Sequence, residues 1–174
     1  MPSMDPLKSY EYLALSRERV FGWVRPLSEE QFAREFPIGQ GSLARTLTHM
    51  LLDEWYYVQR LEGADLPPYE QWPIQNEKPL AFGALERAWI EQAQRTRDAL
   101  RAVRDWSAAF EYRVTNDEGK PMIVTATAGD LVMHMAVHEA HHRAQVMNML
   151  RHLGVAVEAI DYAAMMLKRR EAGG

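Results

Sequence analysis

The stretch 134-HMAVHEAHHRAQV-146 carries four of the chain's six histidines. On a helix each residue turns ~100°, so residues four apart share a face, offset by ~40°. With His138 set at zero, Leu131 and Met149 fall near ~20°, His142 near ~40°, Met135 and Leu153 near ~60° and Val146 near ~80°. They form one apolar stripe interrupted only by His138 and His142, so the segment reads as a long helix with one histidine pair facing inward. His134 and His141 fall on the other side of zero, and His152 lies with them, so these three read as edge positions exposed to solvent. Glu139 lies at the far rim of the stripe.

Two buried imidazoles side by side are costly unless something binds them or polar partners satisfy them. An i, i+4 histidine pair can converge on one metal ion at ~2.1 Å. Three histidines in a column cannot: His134, His138 and His142 span ~12 Å along the axis. A third ligand must therefore come from another helix. The remaining histidine, His49, is the candidate, giving a three-histidine set with open coordination positions, as in catalytic rather than structural sites. Periodicity does not select it. The strongest apolar stripe of its helix is Leu43, Leu47, Leu51, Val58 and Leu61, and His49 lies roughly opposite with Leu52 and Tyr56. Asp53 is one turn along. The rival readings are hydrogen-bonded core histidines, a pH switch, and ordinary solvated carboxylates at Asp53 and Glu139.

Outward from this helix, punctuation marks the remaining elements. Thr127, with Asp130 three residues on, caps the histidine helix over 128–153, and Gly154 stops it. Asp5-Pro6 opens a first helix through Leu7, Tyr10, Leu13, Leu15, Val20 and Trp23, ended by Pro26. Ser28–Gln31 matches a capping box for a short helix. Ser42 caps a second long helix, 43-LARTLTHMLLDEWYYVQRLE-62, with Gly63 beyond its end. Residues 63–79 hold four prolines and read as a loop whose Tyr69 and Trp72 either line a substrate cleft or pack on the outside. A third long helix is expected over 80–104 and a short last one over 159–170. Between the third and fourth long helices, 109-AFEYRVTNDEGKPMIVTAT-127 has the alternation and turn of a β-hairpin. The expectation is one all-α domain over 1–174: an up-and-down four-helix bundle with a small hairpin inserted before the last long helix.

The chain of 174 residues has a net charge of −4 and no cysteine. Weak acidity argues against a nucleic-acid surface. The basic run Lys168-Arg169-Arg170 reads as a solvated helix end. Without cysteine, a metal must be held by His, Asp, Glu or water, and any nucleophilic thiol must come from outside the chain. No apolar run reaches ~20 residues, and the N-terminus lacks a signal-peptide layout, so a cytoplasmic protein with no membrane segment is expected.

The string 138-HEAHHRAQVMNMLRHLG-154 resembles the C-terminal metal-binding helix of the DinB/YfiT-like family, whose members often read H-x-x-x-H-R-G-Q before an apolar stretch and L-x-x-x-G. The segment 47-LTHMLLDEWYYVQRL-61 is similar to that family's other hallmark, a histidine in L-x-H followed by acidic and aromatic residues. The match departs at Ala144, where many members have glycine. The resemblance implies a four-helix bundle, often dimeric, with His49, His138 and His142 as ligands of a divalent metal, commonly zinc or nickel. It also implies a small-molecule substrate and a reaction with a low-molecular-weight thiol, such as bacillithiol or mycothiol, in S-transferases and isomerases. Asp53, Glu139 and His141 are then the candidates for proton transfer. Hydrolysis by a metal-activated water and a non-catalytic metal-binding stress-response protein remain the alternatives.

Overall fold

The computed structural model describes residues 5–115 and 118–168. Among them are six α-helices and one two-stranded antiparallel sheet: α1 Pro6–Val24, α2 Glu29–Ala33, α3 Leu43–Leu61, α4 Phe82–Ala102, β1 Ala109–Thr115, β2 Pro121–Thr127, α5 Ala128–His152 and α6 Tyr162–Met166. No helix among the described residues is long and apolar enough to cross a membrane.

The helix starts follow from local chemistry. Asp5 accepts the Lys8 amide, Ser42 that of Arg45 and Asp161 that of Ala164. Ser28 with Gln31, and Thr127 with Asp130, form complete reciprocal boxes. Each cap satisfies amides that have no carbonyl partner in the first turn. At the end of α3, Gly63 takes φ +71°. This lets the Ala64 and Gly63 amides fold back on the carbonyls of Gln59 and Arg60.

The expected segments are present, with shifted ends. The third long helix starts at Phe82 and stops at Ala102, inside the predicted 80–104. The last helix spans only Tyr162–Met166 of the predicted 159–170, and Lys168 lies beyond it. Arg169 and Arg170 of the basic run lie outside the described residues, as do Asn116 and Asp117 of the hairpin turn. Leu15 is 47% exposed rather than part of the α1 core. The buried face of α1 runs instead through Tyr10, Leu13, Arg17, Val20 and Val24, at helical spacing with an arginine in its middle.

Packing joins the long helices in a ring: α3 lies against α4 and α5, and α1 against the same two. The main core gathers Val20, Phe21, Val24, Leu47, Leu51, Leu85, Trp89, Val146 and Met149. A smaller one, at Tyr10, Leu13, Leu100, Val132 and Met135, joins α1, α4 and α5. Because α3 has two neighbours, it is buried on two sides: Leu43, Leu47 and Leu51 are covered, and so are Met50 and Leu52. The hairpin pairs Ala109 with Thr127 and Thr115 with Pro121 at its two ends, and runs directly into α5.

Candidate metal centre

The buried face of α5 is centred further round than the apolar residues alone suggest. Leu131, Met135, Glu139, His142, Arg143, Val146 and Leu150 are all buried. With His138 at zero, their mean direction is near ~80°. His138 therefore stands at the rim of the buried face, where α5 meets α3, rather than at its centre. There it meets His49 across the helix pair, and His142 joins from one turn on.

His49, His138 and His142 each offer a ring nitrogen within 4.8 Å of the other two. The Nε2 atoms of His49 and His138 are 3.0 Å apart, close to the ~3.3 Å between nitrogen ligands of one ion. The opposite ring nitrogens are all occupied. Nδ1 of His49 faces Oδ1 of Asn76 at 3.1 Å. Nδ1 of His138 faces Oδ2 of Asp53 at 3.2 Å. Nδ1 of His142 faces Oε1 of Gln145 at 2.8 Å. His49 and His142 donate Nδ1–H to an amide oxygen, which sets their tautomers and leaves the Nε2 lone pair free, while Asp53 stands beside Nδ1 of His138. Without a metal, this 3.0 Å contact is a hydrogen bond in which His138 Nε2–H donates to the His49 lone pair. Three converging imidazole nitrogens could hold a metal ion, of a kind that favours nitrogen over all-oxygen ligands.

Electrostatics favours neutral imidazoles. Burial lowers the His138 pKa to about 3, and the neighbouring histidines add to the effect. Burial likewise lowers His142, against the pull of Gln145. Burial raises Asp53 to about 7, with further contributions from Glu54 and Glu139. With His138 neutral, the 3.2 Å Asp53–His138 contact is a polar contact rather than an ion pair. Oδ1 of Asp53 lies 3.4 Å from Nε2 of His134, whose ring packs 4.4 Å from that of Tyr57. His134 is half-exposed, so it links a buried carboxyl to solvent.

The other candidates separate. His141 is exposed, and its Nε2 accepts from the Gln145 amide at 2.9 Å, which turns the Gln145 oxygen towards His142. Glu139 is 4% exposed and faces the core, with Oε2 taking Nη2 of Arg17 at 2.6 Å. Glu54, the neighbour of Asp53, takes the same Arg17 atom at 2.7 Å and accepts from Tyr10 and Thr96 at 2.6 Å each. Adjacent helical residues point ~100° apart. Asp53 and His138 thus serve the centre, while Glu54 and Glu139 tie α3 and α5 to α1. The Arg17 guanidinium also lies 3.6 Å over the Trp89 ring of α4. His152 is exposed, 6.2 Å from the Phe36 ring.

Sequence reasoning missed Asn76, which sits in the proline-rich loop where no period marks it. It also passed over Gln145, although Gln145 stands three residues from His142 and within the quoted motif. The loop aromatics pack on α3: Trp72 lies 5.3 Å from Trp55 and 5.4 Å from Tyr56. Tyr69 accepts the Asn76 amide at 2.8 Å, so the loop that carries them also carries the partner of His49.

Helical architecture and donor set together define a mostly helical protein with a three-histidine site able to hold a metal. The family model described as the DinB family matches residues 1–171, and the chain belongs to that family. No curated protein matches it.

Proposed function

We propose that this protein is a metal-dependent transferase on an up-and-down four-helix bundle, using His49, His138 and His142 to hold zinc or nickel and acting on a low-molecular-weight thiol of the bacillithiol or mycothiol type. The observation that carries the reading is the convergence of three imidazole nitrogens whose opposite nitrogens each face a side-chain oxygen. The ring of contacts among α1, α3, α4 and α5 supports the bundle. The absence of cysteine fits a thiol supplied as cosubstrate.

When bound, a divalent cation supplies Lewis acidity and lowers the pKa of a coordinated thiol or water. The chain's own contribution is orientation and proton handling. Asn76, Asp53 and Gln145 hold the three rings. Asp53, raised towards neutrality by burial, would hold a proton behind the His138 ring, and half-exposed His134, 3.4 Å from its Oδ1, would connect it to solvent. His141 holds Gln145 in place. Glu139 keeps α5 in register through Arg17.

The same groups serve hydrolysis, so the product decides between the two reactions. The purified protein should contain close to one zinc or nickel per chain, and His142→Ala should lose it. With bacillithiol and an electrophilic acceptor, the wild type should form the thioether conjugate. Hydrolysis product alone would replace the transferase reading, and no metal in either protein would end both. We further propose a cytoplasmic homodimer. Exposed Met133 and Val137 on α5 and Ile123 on β2 support an association face, which light scattering checks.

A further inference from the structure

Arg60 is 9% exposed, yet it makes no ion pair among the described residues. Its Nη2 donates to the Tyr56 hydroxyl at 3.2 Å and to the Arg113 carbonyl at 3.3 Å. Its Nε has no hydrogen-bond partner. The guanidinium lies 4.7 Å from the Tyr56 ring and 4.9 Å from that of Tyr112. A guanidinium withdrawn from water is ordinarily matched by an oxyanion, because desolvation of an unpaired charge is costly. Arg17 shows that solution in the same molecule, between Glu54 and Glu139.

Beside Arg60 lies a cavity of about 730 Å³, bounded by Arg60, Arg113, Tyr56, Tyr69 and Trp72, and by further residues of the proline-rich loop and the hairpin. No acidic residue lines it among the described residues. Asp65 and Glu111 border a second cavity that shares Arg60 and Arg113, and neither forms an ion pair with them. Two cations, aromatic walls and a spare N–H suit a ligand with a charged head and a cyclic or apolar body.

The cavity is also placed along the line of the metal centre. His49, Asp53, Tyr56 and Arg60 lie within ~60° on one face of α3. Arg60 reaches back over Tyr56, seven residues from His49 and so roughly 10 Å along the helix. Tyr69, which lines the cavity, holds the Asn76 amide, and Asn76 holds His49.

We propose that this cavity is an anion subsite taking the carboxylate or phosphate of an organic substrate, with Arg60 and Arg113 binding the oxyanion and Tyr69 and Trp72 flanking its body. The subsite itself stands on Arg60. Its role in the reaction rests on the metal-dependent reading above, and requires a substrate that spans roughly 10 Å between charged end and reacting group.

The test titrates phenyl phosphate, benzoate and uncharged benzyl alcohol into the full chain, chelator-treated and zinc-loaded, by calorimetry. At least one of the two anions should bind in both metal states, and the tighter one identifies the oxyanion. Benzyl alcohol should bind more weakly. Arg60→Gln should weaken anion binding roughly ten-fold or more, and exposed Arg113→Ala several-fold, with helicity checked by circular dichroism. Arg113→Ala keeps the test decisive if Arg60→Gln does not fold. Equal binding by wild type and the folded variants overturns the subsite, as does equal binding of benzyl alcohol. Anion binding that appears only with zinc also overturns it, because the ligand is then on the metal. Zinc uptake lost in His142→Ala but no anion binding leaves the metal reading standing and sinks this one. Arg60-dependent anion binding without zinc uptake does the reverse.

Discussion

Replacing Arg17 by methionine isolates the buried charge network behind the centre. Arg17 is 4% exposed, and it ties α1 to α3 through Glu54 and to α5 through Glu139. Glu54 retains the Tyr10 and Thr96 hydroxyls after the change. Glu139 keeps only Arg143, whose Nη1 lies 3.8 Å away, too far for a hydrogen bond. Removing one partner of a buried pair costs about 3–5 kcal/mol, a large part of an ordinary domain's stability of roughly 5–15 kcal/mol. At ~2–4 °C per kcal/mol for a chain of this size, the melting temperature should fall by roughly 6–20 °C.

The loss should depend on pH in a defined direction. Burial already raises the Glu139 pKa against the opposing pull of Arg17, and loss of Arg17 raises it further. A carboxyl whose folded pKa lies above its unfolded value of ~4.3 binds more protons folded than unfolded between the two. Its penalty is therefore largest at neutral pH and relaxes as pH falls through the folded pKa towards ~4.3. Urea unfolding followed by circular dichroism at pH 7 and pH 5 should show a smaller deficit at pH 5. Arg17→Met with Glu139→Gln should recover much of the loss, since glutamine carries no charge. A deficit under about 1 kcal/mol at pH 7, the range of an exposed pair, would refute the reasoning. So would a full deficit that neither pH nor Glu139→Gln changes.

Four other perturbations bear on the centre. Asn76→Ala and Gln145→Ala should each lower zinc affinity by roughly 10–100-fold while leaving the fold intact, as competition with a chromogenic chelator can measure. An unchanged affinity would remove the orienting role of those oxygens. Gly39→Ala should perturb the same ligand from a distance. A Cβ there would come 2.2 Å from Oε1 of Gln145, and the backbone holds φ +53°. Both zinc affinity and stability should drop, and calorimetry showing neither would put Gly39 outside the site. Acidification gives the last test. His138 is depressed to about 3 and His142 is lowered, so protons compete poorly and zinc should be retained below pH 6.5, the ordinary imidazole value. In the metal-free protein the same depression costs stability as pH falls below ~6.5, because the unfolded chain then binds the proton and the folded one does not. Half-release of zinc at pH 6.5 or above would contradict this.

Helix starts, the stop at Gly63 and the hairpin were legible because each depends on groups within a few residues. Asp5, Ser28 with Gln31, Ser42, and Thr127 with Asp130 are caps by their own side-chain chemistry. His138 and His142 were legible as a pair because helical period alone puts them on one face. His142 is buried, while His138 stands at the rim of the buried face. An apolar count leaves out Glu139 and Arg143, which are buried because Arg17 and Tyr12 meet them from α1.

By itself the sequence determined the helical segments, the caps, the hairpin and the inward histidine pair, since these follow from period and from contacts a few residues apart. Tertiary structure decided what lies between segments. His49 reaches the centre because α3 is packed between α4 and α5, so a face that looks secondary on a wheel becomes the one turned to α5. Arg17 finds Glu54 and Glu139, 37 and 122 residues away, and Asn76 reaches His49 from a loop without period. A charge in an apolar stripe signals that a partner is needed, but only packing brings that partner within bonding distance.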